Sequence, residues 1–82
     1  MEKVGKITHY FAKIGVAVVE LKDDLNVGDE ILIRGPQTDV KQVVESMQID
    51  HDRVDNAKKG QSVGLKVAGR VREGDNVYRV ST

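Results

Sequence analysis

The sequence predicts an all-β fold, a small closed antiparallel barrel of six strands, and three observations carry that prediction. Apolar residues recur mostly at a spacing of two or in short continuous runs, as strands require. Glycine, proline and aspartate punctuate those runs at the short intervals expected of tight turns. At 82 residues the chain suits one domain, residues 1–82, and closing its sheet removes edges that so small a protein must otherwise protect.

The elements follow in order. Residues 3–11 alternate and are rich in strand formers (Val4, Ile7, Thr8, Tyr10), with Gly5 marking a bulge or a close approach. Residues 12–15 are a short connection. Residues 15–22 bring Val16, Ala17, Val18, Val19 and Leu21, a near-continuous apolar run expected of a strand covered on most sides, and the two strands form a hairpin. The stretch from Leu25 to Pro36 is the main landmark. Gly28 supplies the positive φ of a turn, Asp29 bonds local backbone, Ile31-Leu32-Ile33 is a strand, and Gly35-Pro36 ends it.

Residues 38–49 fit both a helical spacing and a strand. We prefer a strand in which Val43, Met47 and Ile49 share a face across a bulge near Val44-Glu45. Residues 50–60 are polar and form a loop or one helical turn carrying Val54 inward. Val63, Leu65, Val67 and Val71 mark the clearest half-buried strand. A second Gly-Asp turn, Gly74-Asp75, precedes a last strand over residues 77–81, and the likeness of the two turns is explained by turn chemistry alone.

Composition narrows the function. Thirteen Lys and Arg balance thirteen Asp and Glu, which weakens any long-range pull toward nucleic acid or anionic membrane while leaving room for a local patch. The absence of cysteine removes disulfides, thiolate zinc sites and cysteine nucleophiles. No apolar run approaches the ~20 residues that span a bilayer, and no signal-peptide core follows Met1, so no membrane role and a cytoplasmic location are expected.

Three segments read together are more specific: Val4-Gly5-x-Ile7, Gly15-Val16-Ala17-Val18-Val19-Glu20-Leu21, and Leu25-x-Val27-Gly28-Asp29-Glu30-Ile31-x-Ile33-x-Gly35. This pattern resembles the second domain of translational GTPases, the barrel that follows the nucleotide-binding domain in elongation factor Tu. The resemblance continues through Ala57-Lys58-Lys59-Gly60-Gln61-x-Val63-Gly64-Leu65 and Arg72-x-Gly74-Asp75-x-Val77. The first half looks closer still to the related C-terminal accessory barrel of collagenase-like peptidases. The resemblance implies a stand-alone, elongation-factor-like binding module that contacts RNA, ribosome or a translation-related protein. The second reading is a protein-interaction or oligomerisation module related to the peptidase barrel. A Gly-x-x-x-x-Gly-Lys-Ser/Thr phosphate loop is absent, so no nucleotide is expected, and no cofactor is implied.

Lys6, His9, Tyr10, Lys13 and Arg70 are the expected contacts with RNA or a partner, because an aromatic among cations can stack a base while the cations meet phosphate. Phe11 belongs to the same cluster, and Tyr78 joins it if the first and last strands meet there. Arg72 and Arg79 extend a basic strip. Set against this, Tyr10 or Phe11 fills an aliphatic core, and the arginines are a solvated outer face. An enzyme is not expected. Ser46, Ser62 and Ser81 lack the surroundings of a nucleophile, Glu20, Glu30 and Glu45 do not suggest an acid–base pair, and His51 among Asp50, Asp52 and Asp55 reads as a polar loop before it reads as a metal site.

Overall fold

Alternation along the chain becomes alternation in burial. The computed structural model describes residues 1–80, and its first strand, β1 (Glu2–Phe11), buries Val4, Gly5 and Ile7 while leaving Lys6 and His9 in solvent. Nine more follow: β2 (Val16–Leu21), β3 (Leu25–Asn26), β4 (Glu30–Gly35), β5 (Thr38–Val43), β6 (Met47–Ile49), β7 (Asp52–Val54), β8 (Asn56–Ala57), β9 (Ser62–Lys66) and β10 (Asn76–Arg79). Of the last expected strand, Ser81 lies outside the described residues.

The all-β class holds, but the closed six-stranded barrel does not form. Eight strands make one antiparallel sheet in the order β5-β4-β10-β1-β2-β9-β6-β7, and β3 pairs with β8 apart from it. The sheet therefore has two edges, β5 and β7. Curvature comes from two register shifts in β1, between Lys3 and Gly5 and between Ile7 and His9, because an extra residue on one strand bends it. Along its rim the Gln42 side chain in β5 donates to the Lys66 carbonyl at 2.9 Å and accepts from the Ala68 amide at 2.6 Å. A side-chain clasp thus joins β5 to the chain leaving β9, where a closed barrel would carry a backbone ladder.

Residues 38–49 are strand rather than helix, split at residues 44–46 where the bulge was expected. The face differs from expectation. Val44 is buried and Val43 is 47% exposed, because Val44 exchanges two backbone bonds with the Gly28-Asp29 turn and so points inward. Residues 50–60 also form strands: Asp50 and His51 both adopt positive φ in a two-residue hairpin turn, and Val54 packs against the core.

The core is a single aliphatic cluster on the concave side of the sheet, including Val4, Ile7, Val19, Leu21, Ile31, Ile33, Leu65 and Val77. Each such side chain contributes about 1.5–3 kcal/mol on burial, enough for a small sheet to hold its shape without large aromatics.

The second Gly-Asp turn repeats the first in atomic detail, and a third copy exists that the sequence disguises. In Asn26–Asp29, Lys58–Gln61 and Arg72–Asp75 the last amide donates to the first carbonyl at 3.1 Å, and the glycine has a φ between 91° and 97°. Each last side chain also accepts from the first amide, at 2.9, 2.8 and 2.8 Å in chain order. These are type II turns, in which the third residue needs positive φ. Each glycine amide and the following carbonyl then close a pair of bonds with one buried residue, Val44, Leu21 and Ile7 respectively. Gln61 replaces aspartate in the hidden copy, so turn chemistry accounts for the likeness.

Candidate functional site

The chemistry collects at the tip of the β1–β2 hairpin. Residues 12–15 form the turn there, closed by the Ile14 and Gly15 amides donating to the Phe11 carbonyl at 3.2 and 3.0 Å. The tip is tied down from β9: the Val67 amide donates to the Gly15 carbonyl at 2.9 Å, and Lys66 Nζ to the Ile14 carbonyl at 3.3 Å. Neighbouring residues on a strand face opposite ways, so Tyr10 points to one side while His9 and Phe11 point to the other. Two surfaces result.

On the first, Tyr10, Ala12, Arg70, Val71, Arg72 and Glu73 line an open bowl of about 550 Å³. Tyr10 packs its ring partly against the core, and Val71 is buried between Arg70 and Arg72, both of which are exposed. Tyr10 therefore serves the core and the surface at once. Glu73 sits at the rim, with its Oε2 3.5 Å from His9 Nδ1. On the second surface, Phe11, Ile14, Val16, Val18 and His51 line a groove of about 320 Å³ across the outer face of β2 and β9. Phe11 and Ile14 are 51% and 61% exposed, and the His9 ring stacks on Phe11 with centroids 6.1 Å apart.

The expected site residues are thus divided. Tyr10 and Arg70 meet in the bowl. His9 stands at its rim through Glu73, and Lys13 is exposed in the hairpin turn. Lys6 lies further down β1, opposite Glu20, whose carboxyl is held below the ordinary carboxylate range by a hydrogen bond from Lys22, then by the Lys22 charge, with a smaller effect from Lys6. Tyr78 does not join the cluster. It pairs with Lys3 at the opposite end of β1, because β10 meets only the first half of that strand.

Arg79 does not extend a basic strip either. Its guanidinium donates to the Asp24 carbonyl at 2.6 Å and to Asp23 Oδ2 at 3.2 Å, with Glu2 at 3.6 Å and Asp29 at 4.0 Å. That arginine is a structural tie. His51, at the β6–β7 turn, joins no group of acidic residues able to hold an ion among those described. Ser46 lies between β5 and β6, Ser62 opens β9, and Ser81 falls outside the described residues.

Two features escaped the sequence reading. The run Val16-Ala17-Val18-Val19 suggested a strand covered on most sides, yet Ala17 and Val19 are buried while Val16 and Val18 are only partly buried and line the groove. An unbroken apolar run cannot distinguish a covered face from one that awaits a partner. Arg72, expected only to extend a basic strip, enters the bowl beside Arg70 and Tyr10, and the i, i+2 spacing of the two arginines around an apolar residue was the available signal.

Comparison with known proteins places this arrangement. No family model matches the chain. It is 49% identical over 77 residues to an uncharacterized protease of Methanocaldococcus jannaschii, and 42% identical over 78 residues to a collagenase of Porphyromonas gingivalis. Each match covers 93% of this chain and only 19% and 22% of the relative, so the chain spans about a fifth of the length of these curated relatives. Among solved structures, the C-terminal domain of a candidate U32 peptidase from Geobacillus thermoleovorans superposes with a TM-score of 0.91 over 98% of this chain and 93% of that one, at 24% identity. A selenomethionine variant of that domain gives 0.90 over 95% and 99%, at 26% identity.

These findings overturn the translation-factor and RNA-binding expectation. The relatives are named protease and collagenase, and the fold is that of a peptidase C-terminal domain. The residues that carried the likeness to the elongation-factor barrel are glycine turns and valine strands, and turn and strand chemistry alone accounts for both. Among the described residues no helix is long and apolar enough to cross a membrane. The chain is similar in sequence to about a fifth of a protease and a collagenase, and it has the fold of a C-terminal domain from a candidate U32 peptidase.

Proposed function

We propose that this chain is a non-catalytic accessory module that docks on a peptidase-like body through the apolar groove at its hairpin tip. One observation carries the reading: 93% of the chain aligns at 49% identity to a segment that makes up only 19% of a larger protease. A segment of that kind sits beside about four-fifths of another polypeptide. Its fold is also that of a domain crystallised separately, which supports reading it as a unit with its own core.

The groove supplies the contact. Phe11 and Ile14 are large exposed apolar side chains on a hairpin tip anchored by Lys66 and Val67, so ordering them on binding costs little. Clustered apolar groups on such a rigid rim mark a protein-contact surface.

Sedimentation velocity on this chain mixed with the M. jannaschii relative lacking its matching segment tests the reading. A one-to-one complex is expected, and Ile14→Asp should abolish it without changing the circular dichroism of the isolated chain. Absence of a complex at concentrations of about 100 µM, or a complex indifferent to Ile14→Asp, would overturn the docking surface. Release of peptides from gelatin by this chain alone would overturn the non-catalytic role.

A further inference from the structure

We propose that the bowl formed by Tyr10, Arg70 and Arg72 binds a peptide carboxylate, held by the two guanidinium groups with the neighbouring side chain or backbone laid on the Tyr10 ring. The identification of the ligand as peptide rests on the accessory role beside a peptidase-like body. The anion chemistry rests on the bowl itself.

Three observations converge. First, among the described residues neither Arg70 nor Arg72 has a carboxylate within ion-pair distance, whereas Arg79 has three and Arg34 has one. The one acidic residue in the bowl, Glu73, has no lysine or arginine within ion-pair distance among the described residues, and its Oε2 lies 3.5 Å from His9 Nδ1 at the rim. Second, the guanidinium bearers are placed by backbone that is already fixed. The Arg72 amide donates to Asp75 Oδ2 at 2.8 Å, the Asp75 amide donates to the Arg72 carbonyl at 3.1 Å, and the Gly74 amide donates to the Ile7 carbonyl at 2.8 Å. With Val71 buried between them, both arginines are exposed and line the bowl. Third, Tyr10 gives the bowl an aromatic wall whose far side is seated on the core.

Charge then selects the ligand. Two guanidinium groups against Glu73 leave a surplus of one positive charge, which matches a single carboxylate better than a phosphate dianion. Planar guanidinium forks also bind carboxylates through two parallel hydrogen bonds, so the site has geometry as well as charge. Such a carboxylate comes from either a chain terminus, which every peptide-bond hydrolysis creates, or an Asp or Glu side chain.

Fluorescence anisotropy of the full chain with three dye-labelled tetrapeptides separates the sources: Gly-Ala-Gly-Leu as free acid, the same peptide as C-terminal amide, and Gly-Glu-Gly-Leu as amide. Binding of the free acid alone assigns a terminal carboxylate, and binding of the Glu peptide as well assigns carboxylates in general. Arg70→Gln and Arg72→Gln should each weaken binding about tenfold, and Arg70→Lys less, because it keeps the charge and loses the fork. Lys59→Gln, in the distant Lys58–Gln61 turn, should leave binding unchanged. Circular dichroism of each variant confirms that the exposed substitutions leave the fold intact.

Equal binding of the neutral amide, no binding of either carboxylate peptide at millimolar concentration, or full retention of affinity in the double arginine variant would overturn the site. Displacement of the free acid by an equal concentration of inorganic phosphate would overturn its preference for carboxylate. Failure here while the Ile14-dependent complex still forms removes the bowl and leaves the docking role standing. The reverse result removes the docking role alone.

Discussion

The turns Asn26–Asp29 and Arg72–Asp75 have the same backbone, the same side-chain bond and the same glycine conformation, yet they stand in different surroundings. Asp29 keeps a quarter of its side chain in solvent and lies 4.0 Å from Arg79. Asp75 is 2% exposed and has no cation within ion-pair distance among the described residues. Its carboxylate lies over Gly35, where a Cβ would overlap Oδ1 and come within 2.7 Å of Cγ. One turn is a surface fastening, and the other is sealed into the fold by the glycine that ends β4. A motif visible twice in sequence can therefore carry very different energies, set by what packs on it.

Gly35→Ala should show the largest effect, because its new methyl must push a buried carboxylate off its hydrogen bond. We expect a loss of about 3 kcal/mol, measured by urea denaturation. The loss should shrink to below about 1 kcal/mol when measured in an Asp75→Ala background, where the obstructing group is gone. An unchanged cost in that background would break the link between Gly35 and Asp75.

Asp75→Ala itself should cost about 2 kcal/mol, since it leaves the Arg72 amide without its partner in a shielded place, whereas Asp29→Ala should cost about 1 kcal/mol or less, since water reaches the Asn26 amide. Equal losses would show that burial does not separate the turns. Gly28→Val probes what the turns have in common. No atom lies within 4 Å of a Cβ at Gly28, so the expected loss of about 1 kcal/mol comes from a φ of 97° that valine resists. Full stability in that variant would mean that the turn can be rebuilt at no cost.

The sequence revealed strands and turns more readily than their closure. Alternation around Ile7, Val63 and Leu65 reports which face is buried, and the glycine turns report where the chain reverses. Neither reports whether the two edges of the sheet, β5 and β7, come together, because closure depends on curvature accumulated through bulges and on long-range pairing. The rim bond made by Gln42 joins residues 24 and 26 positions apart and leaves no local pattern. Of the site, Tyr10 and Arg70 were legible as an aromatic and a cation, but Tyr78 could be placed only once β10 was known to pair with the start of β1. Charge also hid its partners: Arg79 reads as a free cation in sequence and is held in the fold by Glu2 of β1, by Asp23 and Asp24 between β2 and β3, and by Asp29 in the turn before β4.

The smallest effect belongs to the third turn, Lys58–Gln61, in which an amide oxygen replaces the carboxylate. Gln61 and Lys58 are both exposed, and the side-chain bond to the Lys58 amide is 2.8 Å long, no longer than its counterpart under Gly35. Bond length therefore does not rank the turns, and solvent access should. Gln61→Ala is expected to cost about 0.5 kcal/mol in the same urea assay, because water replaces the lost acceptor and the Gly60 and Gln61 backbone bonds to Leu21 persist. A loss near that of Asp75→Ala would mean that the side-chain bond itself, wherever it sits, sets the stability of all three turns.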